Sequence, residues 1–182
     1  AECADGVERV CLGDENDVLS RYARFAEREA PDAIVRVTAD CPMVSTTDIV
    51  LTTGMLALND VSYVSNCYAA NERAVPDGLD VEAFTREALA LADVHARDPI
   101  DREHVTPWMR REVPWLCFAR GQSMDPNWRW TVDTEADLAW FRQMAELTDL
   151  SPACGTDNLT ALLRARPELA RFADATPEEA RP

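Results

Sequence analysis

Residues 33–42 read Ala33-Ile34-Val35-Arg36-Val37-Thr38-Ala39-Asp40-Cys41-Pro42, an apolar run that leads into an acidic turn. Such a run predicts a strand over residues 33–37 that is covered on both faces, as in the parallel sheets of α/β proteins. Asp40 follows the strand by a few residues, at the edge where open α/β sheets bind their ligands. This stretch therefore predicts both the fold class and one part of a functional site.

Helices and strands are predicted to alternate along the rest of the chain. Helical spacing of apolar side chains predicts helices over residues 14–29, 47–58, 85–96, 101–112, 134–147, 158–165 and 168–172. Short apolar runs predict strands over residues 7–12, 61–65, 81–84, 116–119 and 129–132. This order indicates an α/β, three-layer domain with a mainly parallel sheet.

Some of these helices carry more specific predictions. Ser45-x-x-Asp48 resembles a capping box, with Asp in place of the usual Glu or Gln, and Thr134-x-x-Asp137 is expected to start an amphipathic helix. Pro107 is expected to bend or break the helix over residues 101–112. The first helix is predicted to bury one face, formed by Val18, Leu19, Tyr22, Phe25 and Ala26. The helix from Thr134 is predicted to bury Leu138, Phe141, Ala145 and Leu147.

The acidic composition limits the partners of the protein. The chain has 182 residues, with 33 acidic and 18 basic side chains and a formal charge of -15. Phosphate backbones demand clustered positive charge, so a nucleic-acid partner is not expected, whereas a small phosphorylated ligand held by a metal is compatible with this charge. No apolar run approaches the roughly 20 residues of a membrane span, and no secretion signal is visible. We therefore expect a cytoplasmic globular protein.

The six cysteines do not form a recognisable site. They are widely spaced, without a C-x-x-C pair or a histidine cluster beside them. A zinc knuckle or a thioredoxin-like motif would need both the number and the spacing of ligands that are missing here. We therefore interpret the six cysteines as free, buried thiols of a protein in a reducing compartment.

Two aspartates are candidates for a metal site. Asp40 follows the strand over residues 33–37, and Asp133 follows the strand over residues 129–132, so both should lie at the carboxyl edge of the sheet. Two carboxylates at one edge can share a Mg²⁺ with water and substrate phosphates. The alternative is structural: Asp40 forms a turn before Cys41-Pro42, and Asp133 caps the following helix.

An acidic loop and a histidine are the other candidates. Asp77, Asp80 and Glu82 surround a turn glycine, Gly78. The loop is either a solvated turn or a site that hydrogen-bonds a polyhydroxylated ligand. His104 stands beside charged residues and Pro107, as either a structural hydrogen-bonding residue or a proton donor.

The ordered set of motifs resembles a known family. The motifs are residues 13–22, Gly-Asp-Glu-Asn-Asp-Val-Leu-Ser-Arg-Tyr; 35–44, Val-Arg-Val-Thr-Ala-Asp-Cys-Pro-Met-Val; 63–66, Tyr-Val-Ser-Asn; 76–82, Pro-Asp-Gly-Leu-Asp-Val-Glu; 103–107, Glu-His-Val-Thr-Pro; and 129–138, Arg-Trp-Thr-Val-Asp-Thr-Glu-Ala-Asp-Leu. Together they resemble the cytidylyltransferase family of the spore-coat polysaccharide biosynthesis protein F type, relatives of the CMP-sialate and CMP-Kdo synthetases. The resemblance runs from about residue 5 to about residue 172.

The resemblance implies a Rossmann-related, GT-A-like domain over residues 1–172, followed by a polar tail over residues 173–182. It implies Mg²⁺-dependent transfer of CMP from CTP to a sugar, a sugar acid or a related acceptor, with release of pyrophosphate, in polysaccharide or specialised-metabolite biosynthesis. Asp40 and Asp133 match the family's metal-coordinating aspartates. Asn66 and the loop with Asp77, Gly78, Asp80 and Glu82 match the acceptor side of the cleft, and His104 and Arg129 complete the predicted substrate-binding residues.

One family feature has no counterpart in the sequence. The Gly-Ser-Arg-rich loop that holds the CTP phosphates is absent from residues 1–182, so the chain is expected to be the last two-thirds to three-quarters of the family domain, without its first βα units. If this chain bound CTP tightly by itself, Arg36, Arg73 or Arg129 would have to replace that loop.

Two alternative functions and one alternative assembly follow from the same residues. A non-catalytic relative that binds a sugar or a partner is one alternative function, and a nucleotide-sugar glycosyltransferase is the other. The genomic sequence upstream of Ala1 would distinguish the enzyme, which needs a phosphate-binding loop there, from the binding protein. Four tryptophans either form a homodimer interface or pack the core, namely Trp108, Trp115, Trp128 and Trp130.

Overall fold

The computed structural model describes residues 10–69, 72–118 and 124–172. Its helices are α1 Val18–Glu29, α2 Thr46–Leu58, α3 Arg86–His95, α4 Pro99–His104, α5 Pro107–Glu112, α6 Glu135–Leu147 and α7 Gly155–Ala165, with a 3₁₀ turn at Pro167–Leu169. Its strands are β1 Ala33–Arg36, β2 Tyr63–Ser65, β3 Tyr68–Ala69, β4 Glu72–Arg73, β5 Glu82–Thr85 and β6 Trp115–Cys117. The mixture of helices and strands confirms the predicted α/β class.

Some predicted segments fall outside the described residues. The polar tail over residues 173–182, the start of the strand over residues 7–12 and the end of the strand at residue 119 are among them. Residues 10–12 are described and form no strand, and α1 begins at Val18 rather than at residue 14. The helix starts later because Asp17 is its N-cap and accepts a hydrogen bond from the Ser20 N–H at 3.1 Å.

The strands form two sheets among the described residues. The larger sheet has the order β1-β5-β2-β6, and β3 pairs with β4 in an antiparallel ladder. The prediction that residues 33–37 are covered on both faces is wrong, since β1 lies at the edge of its sheet and Val35 and Val37 are 36% and 39% exposed. An apolar run cannot distinguish a central strand from an edge strand, because both use the same β-branched residues.

Contacts divide the chain into two compact units. The first comprises the described part of Ala1–Ile34 together with Asp60–Tyr63 and Phe84–Trp115. Its core contains Leu19 and Ala26 of α1, with Tyr63, Phe84 and Leu89, and the partly buried Trp108 and Trp115 pack against it. The predicted inner face of α1 is confirmed for Leu19 and Ala26, which are buried.

The predicted break before Pro107 is confirmed within this first unit. Helix α4 ends at His104, and α5 begins at Pro107, so the proline occupies the first helical turn where its missing N–H costs little. Val105 between them has φ 72° and ψ -50°, and the Thr106 N–H bonds the His104 carbonyl at 2.8 Å. This is a γ-turn of the strained kind, and it is occupied by a fully buried β-branched residue.

The second unit comprises Val35–Asn59, Val64–Ala83 and the described part of Leu116–Pro182. Its core joins Met43, Leu79, Phe141 and Leu159 to Trp128 and Trp130, whose rings stack with centroids 5.9 Å apart. Both tryptophans are buried, so they act as core residues.

Helix α6 buries Phe141 as predicted, but not the other three predicted residues. Asp137, Phe141 and Met144 are buried, whereas Ala145 is exposed and Leu138 and Leu147 are 37% and 44% exposed. The prediction failed because it counted apolar residues only, and the buried stripe of α6 begins with a carboxylate.

The predicted strand over residues 129–132 is also wrong. The Arg129 N–H bonds the Arg171 carbonyl, the Trp130 N–H bonds the Asp77 carbonyl, and the Val132 N–H bonds the Asp40 carbonyl. These three N–H groups bond three different segments of the chain, so no continuous ladder forms and only isolated bridges occur there.

The helices close to the end of the chain differ in their bounds from the prediction. Helix α7 begins at Gly155 rather than residue 158, and the 3₁₀ turn at Pro167–Leu169 replaces the helix predicted over residues 168–172.

In the described part of the chain, no helix has both the length and the apolarity needed to cross a bilayer.

Candidate active site

Three of the predicted site segments meet within the second unit. The Val132 N–H donates to the Asp40 carbonyl at 2.9 Å, and the Trp130 N–H donates to the Asp77 carbonyl at 2.6 Å. The Asp77 N–H in turn donates to the Trp128 carbonyl at 3.0 Å. The segment over residues 128–133 therefore links the turn after β1 to the acidic loop, through backbone hydrogen bonds on both sides.

Gly78 allows the acidic loop to approach this segment closely. Its φ is +100°, and a Cβ placed on it would lie 2.4 Å from the Trp130 carbonyl carbon and 2.8 Å from the Thr131 nitrogen. Any side chain at position 78 would therefore collide with backbone atoms. Gly78 has a steric role here, and its predicted contact with substrate stays a prediction.

Asp133 is not the cap of α6. The N-cap is Thr134, and Asp137 completes the capping box. Asp133 instead accepts hydrogen bonds on Oδ2 from Arg129 at 2.6 Å and from the Thr131 hydroxyl at 2.8 Å. Among the described residues none donates to its Oδ1, and the side chain is 50% exposed. The structural alternative, in which Asp133 caps the helix, is thus removed.

The pKa of Asp133 follows from these contacts. Partial burial acts to raise it, but the hydrogen bonds from Arg129 and Thr131 outweigh burial and hold the pKa below its usual value. The carboxylate is therefore ionised at neutral pH, as a cation ligand must be.

Asp40 lies in the turn after β1. The Cys41 N–H bonds the Thr38 carbonyl at 3.2 Å, so the turn is closed by backbone atoms. The Asp40 carboxylate accepts a weak hydrogen bond from the Cys41 thiol at 3.6 Å, and no backbone N–H donates to it in the described part of the chain. The turn therefore does not depend on the Asp40 side chain.

These two aspartates suit a hard divalent cation. Mg²⁺ commonly takes one or two protein carboxylates and completes its shell with water and substrate phosphates. Asp40 and Asp133 remain the predicted ligands, because neither carboxylate is used by its own turn or cap. No group of three or more His, Cys, Asp or Glu side chains that could hold a metal occurs among the described residues. A cation here would therefore depend on its phosphate ligands as well as on the protein.

Arginines fix the carboxylates of the acidic loop. Arg73 Nη2 lies 2.5 Å from Asp80 and 3.4 Å from Asp77, and it also donates to the Pro76 carbonyl. Burial raises the pKa of Asp80, although Arg73 opposes that effect. Arg36 pairs with Glu82 at 2.6 Å, where the side chains are only 17% and 7% exposed. The loop is thus an ordered, ion-paired structure rather than a solvated turn.

The side-chain amide of Asn66 also holds the acidic loop. Its Nδ2 donates to the Leu79 carbonyl, and its Oδ1 accepts from the Val81 N–H, both at 2.8 Å. The residue is 2% exposed. Its amide is therefore occupied by the loop backbone, which gives Asn66 a positioning role, and direct contact with substrate stays a prediction.

Arg129 and Asp137 form the most heavily hydrogen-bonded pair of the site. Arg129 donates to both oxygens of Asp137, at 3.0 and 3.1 Å, besides its bond to Asp133. Arg171 forms a further ion pair with Asp137. The Arg129 hydrogen bonds, which outweigh burial, hold the pKa of Asp137 well below its usual value. The spacing Thr134-x-x-Asp137 indicated only the cap, and nothing in the sequence pointed to Arg171 as its partner.

The arginines named as substitutes for a phosphate-binding loop are all engaged. Arg36 pairs with Glu82, Arg73 with Asp80, and Arg129 with Asp133 and Asp137. Each would have to leave a carboxylate before it could hold a phosphate. These residues thus neutralise the acidic cluster in the structure described.

The cysteines near the site are unreactive thiols. None of the described cysteines forms a disulfide, and Cys41 and Cys67 are buried. Burial raises the pKa of Cys41 to about 12 and that of Cys67 well above its usual value. Neither is therefore a thiolate at neutral pH, which is the form in which a cysteine acts as a nucleophile.

An open groove is lined in part by residues that lie close in sequence to the two aspartates. It has a volume of about 280 Å³ and is lined mainly by apolar side chains, among them Pro42, Val132, Leu138 and Phe141, with Arg142 as its charged residue. Pro42 follows Asp40 closely and Val132 precedes Asp133, whereas neither aspartate lines the groove itself.

His104 belongs to the first unit, where it is the exposed last residue of α4. The structure gives no contact that assigns it a role, and its part in substrate binding stays a prediction.

Known proteins resemble this chain in sequence and in structure. No family model matches the sequence. Uncharacterized protein MJ1063 of Methanocaldococcus jannaschii is 36% identical over 147 residues, which are 78% of this chain and 57% of that protein. Spore coat polysaccharide biosynthesis protein SpsF of Bacillus subtilis is 25% identical over 185 residues, covering 96% of this chain and 72% of that protein.

A solved structure extends the comparison to the fold. A cytidylyltransferase from Leptospira borgpetersenii serovar Hardjo-bovis matches with a TM-score of 0.77 and 25% identity, over 91% of this chain and 69% of that one. The match confirms the predicted Rossmann-related nucleotidyltransferase fold. This chain spans little more than half the length of the archaeal relative. In sequence and in fold, the chain is thus similar to SpsF and to this cytidylyltransferase, and it has the nucleotidyltransferase fold of the latter.

Proposed function

We propose that the protein transfers CMP from CTP to a sugar, a sugar acid or a related acceptor, in the cytoplasm and with Mg²⁺. The observation that carries this proposal is the structural match to a cytidylyltransferase over 91% of the chain. The backbone linkage of Asp40 to the segment that bears Asp133 supports it, because it brings two carboxylate-bearing turns together. Nucleotidyl transfer in general is the part of this proposal that the family supports.

In the proposed reaction an acceptor oxygen attacks the α-phosphorus of CTP. A new oxygen–phosphorus bond forms as the acceptor hydroxyl loses its proton to water, the bond from the α-phosphorus to the bridging oxygen breaks, and pyrophosphate leaves. When bound, Mg²⁺ neutralises phosphate charge and orients the triphosphate. Asp40 and Asp133 are the residues that would hold it, since both are suited to a two-carboxylate site.

The remaining residues bind and orient. Arg73 and Arg36 fix the carboxylates of the acidic loop, so that Asp77, Asp80 and Glu82 present defined acceptors for the hydroxyl groups of a sugar-like acceptor. Preformed hydrogen-bond acceptors lose less conformational freedom on binding than a mobile loop would. Asn66 and Gly78 keep the loop against the segment over residues 128–133.

Pyrophosphate release from the complete protein tests this proposal. The enzyme is expected to release pyrophosphate with CTP and Mg²⁺, but not with ATP, when the correct member of a panel of acidic sugars is present. Asp60→Asn is a matched control for changes at the site, since Asp60 is exposed and lies two residues beyond the end of α2. Equal rates with ATP, or no release with any acceptor, would count against the proposal.

A further inference from the structure

Asp137 makes more contacts than a helix cap requires. In a capping box the carboxylate at the third helical position needs only to accept the N-cap N–H. Asp137 Oδ2 accepts that N–H from Thr134 at 2.7 Å, and it also accepts the Thr134 hydroxyl at 2.9 Å. Its side chain is fully buried, yet it also binds two arginines. The additional contacts call for a role other than capping.

Two separate paths connect Asp137 to Asp133. Along the backbone, the Asp133 N–H donates to Asp137 Oδ2 at 2.9 Å. Through side chains, both Asp137 oxygens accept hydrogen bonds from Arg129, and Arg129 Nη2 then donates to Asp133 Oδ2 at 2.6 Å. One buried carboxylate thus fixes the main chain of Asp133 and the partner of its side chain.

We propose that Asp137 is a positioning residue that acts on Asp133, directly and through Arg129, and so sets the affinity of the cation site. This inference rests on the proposed function for the identity of the cation. Groups that orient a metal ligand commonly change affinity by about 10–100-fold when they are removed. The proposal includes Arg129 because its guanidinium binds both Asp137 and Asp133, so that Asp137 orients the group that contacts Asp133.

A purely electrostatic role and a positioning role predict opposite changes in cation affinity when Arg129 is replaced. Replacing Arg129 by glutamine removes a positive charge beside the site, so a purely electrostatic role predicts tighter cation binding. A positioning role predicts weaker binding, because Asp133 loses the group that fixes its carboxylate. Asp137→Asn retains an oxygen for the cap but loses the second acceptor for Arg129.

The test measures Mn²⁺ alone, as a stand-in for Mg²⁺, by calorimetry on the complete protein, with and without CTP. Asp137→Asn and Arg129→Gln are each expected to raise the dissociation constant about 10-fold. Thr85→Ala is the control, because Thr85 caps α3 through the Ala88 N–H and its loss should lower Tm by about 2–4 °C without a change in Mn²⁺ affinity. If Asp137→Asn does not fold, the Mn²⁺ affinity of Arg129→Gln alone tests the proposal.

Each other outcome has a defined meaning. Tighter binding by Arg129→Gln, unchanged binding by a folded Asp137→Asn, or an equal loss in Thr85→Ala would overturn the positioning role. A wild-type protein that binds no Mn²⁺ would overturn both this role and the magnesium part of the proposed function. The expected Mn²⁺ results without pyrophosphate release from CTP would support the positioning role and overturn CMP transfer.

Discussion

The structure decides between a capping role and another role for Asp133. Its position before a helix allowed a capping role or a metal-binding role, and the sequence favoured neither. The structure assigns the cap to Thr134 and Asp137, while the Asp133 carboxylate binds Arg129 and Thr131. A charge that is not needed for the helix is then available for chemistry.

Replacing Asp133 by asparagine should therefore lower activity without unfolding the protein. The amide oxygen can still accept the hydrogen bonds from Arg129 and Thr131, but the negative charge is lost. We expect pyrophosphate release to fall about 100-fold or more, the size found when a charge-stabilising group is removed. Asp60→Asn should behave as wild type. A rate for Asp133→Asn within a few-fold of wild type, with unchanged Mg²⁺ dependence, would remove Asp133 from the cation site.

The elements differ in how far the sequence predicted them. The approximate positions of α2, α3 and α6 and the break at Pro107 follow from caps and proline, which are local signals. The buried face of α6 and the missing strand over residues 129–132 depend on Asp40, Asp77 and Arg171, which are distant in the sequence. Local patterns contain no information on such partners.

The connection between α4 and α5 gives a prediction at this scale. Glycine usually costs about 0.5–1 kcal/mol of stability relative to alanine, because it frees the unfolded chain. At Val105, where φ is 72°, alanine keeps a Cβ in a strained conformation that costs about 1–3 kcal/mol, whereas glycine does not. Val105→Gly should therefore be at least as stable as Val105→Ala in urea unfolding.

Substitution in a regular helix provides the comparison for that measurement. Ala92 is buried in α3, and Ala92→Gly should show the ordinary loss of stability relative to wild type. If Val105→Gly is less stable than Val105→Ala by the ordinary amount, the γ-turn at Val105 carries no strain.

For the whole molecule, the exposed sheet edge is expected to govern association. In the sheet formed by the described residues, strand β1 lies at the edge with Val35 36% exposed, and such an edge can pair with another chain. Val35→Lys should lower the scattering of concentrated samples of residues 1–182, since charged residues at an edge prevent pairing. Val50→Lys is the control, because Val50 is 64% exposed but lies on α2. Equal effects of the two changes would show that edge pairing is not the cause.

Label transfer tests the central claim most directly. The complete protein is incubated with Mg²⁺ and a panel of acidic sugars, once with CTP labelled at the α-phosphorus and once with CTP labelled at the γ-phosphorus. CMP transfer predicts that the α-label enters the sugar product and that the γ-label appears in pyrophosphate. A γ-label in the sugar product, or a product without phosphorus label, would contradict the assignment of this chain as a CMP-transferring enzyme.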